Sequence, residues 1–202
     1  MNEMIDIENN EIRDLVISAG ALALAFGISF SGGITALLQP IALAYAVIAS
    51  LLAVSTGFIL HELGHRFMAN RFNCRAEYKM WPSGLLLALA FSLFGFVFAA
   101  PGAVVIYPRV SLWGNAHKLT RKAYGIISLS GPVMNLLLAL IFLVINAIYP
   151  SDIFLLGKYV NTWLALFNLI PFMPFDGAKI LAWDSRIWLA AAVIAVIMLL
   201  IL

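Results

Sequence analysis

The stretch Phe58-Ile-Leu-His61-Glu62-Leu-Gly-His65-Arg66 lies at the end of a long apolar run that contains no other charge. On an α-helix, His61 and His65 are four positions apart and project from the same face. This spacing lets two imidazoles bind one metal ion and places Glu62 beside them as a general base. Ionisable groups at membrane depth usually mark functional sites. We therefore predict a metal site near the end of a membrane helix.

The composition indicates an integral membrane protein. The chain has 202 residues, of which 63% are hydrophobic and 11% are charged, and its mean hydropathy is +1.00. Soluble domains are nearer to half apolar and a quarter charged. The basic residues lie in short loops and the net charge is only +2, so no nucleic-acid partner is expected. Because Cys74 is the only cysteine, an internal disulfide and a cysteine-based metal cluster are excluded.

The apolar runs predict an all-α polytopic membrane protein with about five or six transmembrane helices in a lipid bilayer. These runs are residues 15–38, 41–60, 124–149 and 187–202, together with a segment that returns from Ile153 and is broken by prolines within residues 167–177. The last run of 16 residues corresponds to about 24 Å of helix, which barely spans. Residues 1–202 are expected to form one membrane-embedded domain, with a short acidic tail at 1–14 and a catalytic core at about 41–184.

The apolar segment 84–108 is interrupted by Gly95, Pro101 and Gly102. Basic clusters flank it, at residues 66–79 and 109–122. A single crossing would put these clusters on opposite sides, against the preference of Lys and Arg for the cytoplasm. We therefore predict a re-entrant segment, since irregular backbone is tolerated where it lines a water-filled cavity or is covered by protein. The metal motif is then expected near the cytoplasmic face, in the cell membrane.

A catalytic zinc ion usually has three protein ligands and an open position, so two histidines require a third residue. Asp176 is the strongest carboxylate candidate because it lies in an apolar segment, where a charge near the bilayer centre costs about 2.5 to 3.5 kcal/mol. The predicted topology places it at the same depth as His61. The alternative is a turn-forming role in Pro174-Phe-Asp-Gly177. His117 is a further candidate, but its polar loop favours a surface position.

Two asparagines, Asn135 and Asn168, lie in apolar runs. Each is suited to bridging neighbouring helices, which is the commoner use of such amides. Either could instead bind the backbone of a substrate or stabilise an oxyanion. We therefore keep both as candidate substrate-binding residues.

Three separated motifs together resemble the site-2 protease family of intramembrane zinc metalloproteases, peptidase family M50. The motifs are His61-Glu-Leu-Gly-His65, Ser130-Gly-Pro-Val-Met-Asn135 and Asn168-Leu-Ile-Pro-Phe-Met-Pro-Phe-Asp176-Gly177. They occur in the family's order, and the resemblance covers about residues 41–184. Its specificity lies in the combination, because the first motif alone also occurs in many soluble metalloproteases.

The resemblance implies one zinc ion per chain, bound by His61, His65 and Asp176, with Glu62 as catalytic base and Asn168 in contact with substrate. It also implies a transmembrane-helix substrate, cleaved after a few residues unwind. Many family members carry a second glycine after the Asp-Gly pair, where this chain has Ala178. That departure leaves the implied ligand in place.

Other function classes remain open from the sequence. A non-catalytic membrane protein that binds a metal or partner helices would not need every catalytic residue type, yet all of them are present. A metal transporter would be expected to repeat polar positions across its spans, whereas this chain shows one cluster. A membrane metallopeptidase with soluble substrates would place its histidines on an exposed helix, whereas His61 directly follows the uncharged run.

Overall fold

A computed structural model describes residues 9–108 and 119–201 of the chain. These residues form mainly α-helices, together with one short 3-10 helix at Gly33–Leu38 and two strands. The helices are α1 (Asn9–Phe30), α2 (Pro40–Arg71), α3 (Pro82–Ser92), α4 (Arg121–Ile148), α5 (Asp152–Asn168), α6 (Asp176–Trp183) and α7 (Ser185–Leu200). The strands are β1 (Cys74–Met80) and β2 (Gly102–Pro108).

Three of the described helices, α1, α2 and α4, are long and apolar enough to cross a membrane. The predicted spans 41–60 and 124–149 lie almost wholly within α2 and α4. The helices α5 and α7 are shorter, with 17 and 16 residues. These features agree with a mainly helical membrane protein.

The prediction of a purely helical fold is wrong for the two strands. They pair antiparallel, with Tyr78 opposite Val104 and Met80 opposite Gly102. The burial of β1 alternates along the strand, because Cys74, Ala76 and Tyr78 face inward between more exposed neighbours. This period of two is the usual signal of a half-buried strand.

The first helix covers the outer edge of β1 with its carboxylates. Glu11 accepts hydrogen bonds from the guanidinium of Arg66 and from the backbone N–H of Tyr78, the latter at 3.0 Å. Asp14 accepts from the backbone N–H of Met80 at 3.3 Å. Burial raises the pKa of the Tyr78 phenol well above its usual value, so its hydroxyl stays protonated. These contacts attach the hairpin to α1 and to the end of α2.

Apolar packing unites the helices around the motif. One buried cluster joins α1, α2, α3, α5 and the segment before β2, and it includes Phe26, Phe58 and Leu164. A second cluster joins the end of α5 to α6 and α7 through Leu169 and Ile180, among others. The motif-bearing part of α2 is therefore held on several sides.

The chain between α5 and α6 is irregular, as its prolines predict. Helix α5 ends at Asn168 and α6 begins at Asp176. Proline cannot continue the backbone ladder of a helix, so Pro171 and Pro174 prevent α5 from running on. The break places Asp176 at the first turn of a new helix beside α2 and α4.

Candidate metal centre

The structure brings together the three side chains that were predicted to bind metal. His61 and His65 lie one turn apart on α2, and Asp176 begins α6. His65 Nε2 is 2.9 Å from Asp176 Oδ2, and His61 Nε2 is 3.5 Å from the same oxygen. The two Nε2 atoms are 3.0 Å apart. All three residues are buried, so the donor atoms converge on one enclosed point.

The second nitrogen of each imidazole is held by a hydrogen bond. His61 Nδ1–H donates to Asn135 Oδ1 at 2.6 Å, and His65 Nδ1–H donates to the backbone carbonyl of Ile127 at 2.8 Å. Because both acceptors lie on α4, this helix orients both rings. Metal-binding histidines typically use their outer nitrogen in this way, which leaves the Nε2 lone pair for the ion.

Two further observations fit a metal ion at this point. A Cβ atom at Gly131 would lie 2.4 Å from His65 Nε2 and 2.6 Å from His61 Nε2, so glycine keeps space clear beside the donors. Glu62 Oε2 is buried and has no hydrogen-bond partner among residues 9–108 and 119–201. Two imidazole nitrogens and a carboxylate oxygen form a donor set that suits catalytic zinc and leaves a position open.

Lys179 is a residue of the centre that the sequence analysis did not identify. Its Nζ donates to Asp176 Oδ1 at 3.1 Å, one turn further along α6. The two carboxylate oxygens of Asp176 are therefore distinguished, because Oδ2 faces the histidines and Oδ1 faces the ammonium group. A lysine three positions after a candidate ligand on a helix was the available signal.

A cavity lies over the three donors and is shared by other predicted residues. Its wall includes Glu62 beside the histidines, and Asn168 from the end of α5. The strand β2 also lines it, at Gly102, Ala103 and Val104. The amide nitrogen of Asn168 donates to Leu164 O at 3.0 Å within α5. The predicted base and one predicted substrate-binding residue thus border the same space as the donors.

Asn135 lines a small neighbouring pocket together with Asn168, but its amide group is already paired within the protein. It is fully buried, and its amide nitrogen donates to Gly57 O and to Asn161 Oδ1, each at 3.1 Å. Its oxygen accepts from His61, so these contacts favour the helix-bridging interpretation over substrate contact. The other candidate ligand, His117, lies outside the described residues.

Comparison with known proteins identifies the family. Residues 49–151 match Peptidase family M50. Over 184 residues, the sequence is 39% identical to MJ0611 of Methanocaldococcus jannaschii, whose name describes it provisionally as a zinc metalloprotease. That alignment covers 88% of this chain and 86% of MJ0611. The chain belongs to peptidase family M50. Both histidines and Glu62 lie within the M50 match, whereas the place of Asp176 in the centre rests on the structure.

Two more distant relatives agree with membership of M50. The zinc metalloprotease MJ0392 of the same organism is 27% identical over 142 residues, which are 68% of this chain and 34% of MJ0392. YwhC of Bacillus subtilis, also provisionally named a zinc metalloprotease, is 29% identical over 149 residues, 61% of this chain and 63% of YwhC. No solved structure matches the chain. Family membership and the three apolar helices together make this M50 peptidase a membrane metalloprotease. The predicted resemblance to the family is confirmed.

Proposed function

We propose that this M50 peptidase is an intramembrane zinc metalloprotease that hydrolyses peptide bonds within or near the transmembrane helices of other proteins. The observation that carries the proposal is the position of the donors. His61 and His65 belong to α2, a 32-residue helix apolar enough to cross a membrane, and meet Asp176 in a buried centre. A catalytic site at that depth is suited to substrates that are themselves in the membrane.

In this proposal His61, His65 and Asp176 hold one zinc ion per chain. Zinc in such a site lowers the pKa of water towards neutrality and polarises a carbonyl group. Glu62 accepts the proton of the attacking water and later delivers it to the leaving amine. Its Oε2 lacks a partner among the described residues and borders the cavity, which suits a group that must exchange protons with a bound molecule.

The proposed substrate is a transmembrane helix that unwinds over a few residues. Its freed backbone groups need new partners, and an exposed strand edge can supply them. Carboxylates of α1 already bond to the outer edge of β1. We therefore propose that a substrate segment pairs with the outer edge of β2, as a third strand of the sheet. Because Gly102, Ala103 and Val104 line the cavity, a segment paired with β2 would pass over the donors. Asn168 is proposed to contact the same segment.

The proposed topology follows from the charges and helix lengths. We propose five or six crossings of the cell membrane, in which α5 and α7 supplement the three long helices. The segment 84–108 is proposed as a re-entrant element, because α3 leaves β1 and the chain returns to pair with it. The basic residues that follow the metal motif support a proposed position of the centre near the cytoplasmic face. Residues 1–202 form one membrane domain, with its catalytic core at about 41–184.

The alternative is a non-catalytic protein of the same fold that binds a metal or partner helices. Glu62→Gln separates the two functions, because it removes the base and leaves the three donors. The proposal predicts that the purified variant keeps its zinc but no longer cleaves single-span membrane proteins co-reconstituted in liposomes. Glu77→Gln on β1 serves as the matched control and should cleave normally. Cleavage retained by Glu62→Gln would refute the role of Glu62, and zinc binding without any cleavage by the native protein would favour the alternative.

A further inference from the structure

We infer that Asn161 is a positioning residue of the metal centre, acting on His61 through Asn135. Asn161 lies in the middle of α5 and is fully buried. Its side-chain hydrogen bonds within residues 9–108 and 119–201 go to Asn135 and Gly157, and none of them joins it to a candidate ligand. The inference rests on the proposed zinc site and adds a residue that determines which nitrogen of His61 carries the proton.

The hydrogen bonds form a chain that has only one consistent direction. Asn161 Nδ2 donates to the backbone carbonyl of Gly157 at 2.9 Å, and a carbonyl can only accept. The Asn161 Oδ1 atom therefore faces away from its own helix and accepts from Asn135 Nδ2 at 3.1 Å. This orientation turns Asn135 Oδ1 towards His61, where it accepts from Nδ1–H. The His61 proton is thus fixed on Nδ1, and Nε2 is left with a lone pair.

The opposite amide orientation would disable His61 as a ligand. If the Asn135 amide turned over, its NH2 group would face His61 Nδ1, and the imidazole proton would have to move to Nε2. A protonated Nε2 cannot bind zinc. Two acceptors hold the productive orientation, namely Gly57 O on α2 and Asn161 Oδ1 on α5. Because Asn135 has two N–H groups and both sites are buried, loss of either acceptor leaves one donor unsatisfied.

The packing around Gly57 supports the same role from a different helix. A Cβ atom at Gly57 would lie 2.5 Å from Asn161 Oδ1. The absence of a side chain on α2 is therefore what allows the Asn161 amide to reach the space between α2 and α4. A purely apolar contact between these helices would not require an amide at this point.

The test compares Asn161→Leu with Thr162→Val. Leucine has the same branching and the same number of side-chain heavy atoms as asparagine, and it removes both hydrogen-bonding atoms. Thr162 is the matched control because it is also fully buried, and its hydroxyl donates to Lys158 O one turn back, as Asn161 does to Gly157 O. Zinc affinity is measured by chelator competition on detergent-purified, folded protein, and the absorption spectrum of the cobalt-substituted protein reports the ligand geometry. Gly57→Ala provides a second variant that disturbs the same network from α2.

We expect Asn161→Leu to weaken zinc binding about tenfold or more and to alter the cobalt spectrum, since partners of metal-bound histidines typically contribute 10- to 100-fold. Gly57→Ala should weaken zinc binding as well, and Thr162→Val should leave it unchanged. Unchanged affinity in both network variants would overturn the inference while leaving the proposed zinc site intact. An equal loss in Thr162→Val would also overturn it, as a general packing effect. If the native protein binds no zinc, the proposed function fails and this inference fails with it.

Discussion

Substitution of Gly131 by alanine tests whether the space beside the histidines belongs to a metal. The new Cβ would lie 2.4 Å from His65 Nε2, about 1 Å inside the 3.4 Å at which ordinary contact begins. Ligand distances in zinc sites are held within about 0.2 Å. Relieving an overlap of about 1 Å therefore displaces at least one ligand. If about 12 kcal/mol of zinc binding is shared by the three protein ligands, losing one costs about 4 kcal/mol, or on the order of 1,000-fold in affinity.

The assay is zinc affinity by chelator competition on the purified protein, with circular dichroism to verify that the helices are retained. Gly20→Ala is the matched control, because a Cβ at Gly20 on α1 meets nothing within 4 Å. This control should bind zinc as the native protein does. Native zinc affinity in a folded Gly131→Ala variant would refute the placement of the ion between these histidine nitrogens.

Three further predictions concern the groups around the centre. Glu11→Gln removes the buried carboxylate that pairs with the half-buried Arg66 and should destabilise the protein by about 3 kcal/mol. Thermal unfolding in detergent measures this loss, and a melting temperature equal to that of Glu77→Gln would contradict it. Lys179→Met should weaken zinc binding about tenfold because Asp176 Oδ1 loses its partner, whereas Lys179→Arg should retain zinc binding. Equal zinc affinities of the two variants would refute the role of Lys179 in holding Asp176. Val104→Pro removes an N–H on the edge of β2 away from β1, and it should reduce cleavage while leaving zinc content unchanged. Normal cleavage would exclude this edge as the substrate site.

The metal donors could be predicted from the sequence because local rules constrain them strongly. Two histidines one turn apart on a helix must share a face, and an aspartate in an apolar segment needs a partner. The break between α5 and α6 was equally accessible, since Pro171 and Pro174 fall within four residues of each other and neither can donate a backbone hydrogen bond to continue α5. These features depend on a few neighbouring residues and little on the rest of the fold.

The network around the donors could not be read from the sequence in the same way. Asn135 and Asn161 are 26 positions apart, and only the packing of α4 against α5 shows that one amide orients the other. Strand β1 was missed for a different reason. It lies in a charged stretch that was interpreted as a loop recording membrane orientation, so the alternation of charged with other residues from Cys74 to Met80 was overlooked.

The most direct test of the zinc site is the zinc content of the native protein and of Asp176→Asn, measured on detergent-purified protein by atomic absorption. Asp152→Asn at the exposed start of α5 is the matched control. We expect nearly one zinc ion per chain in the native protein and the control, and a large loss in Asp176→Asn. Zinc that is absent from the native protein, or bound equally by all three, would contradict a site formed jointly by α2 and α6.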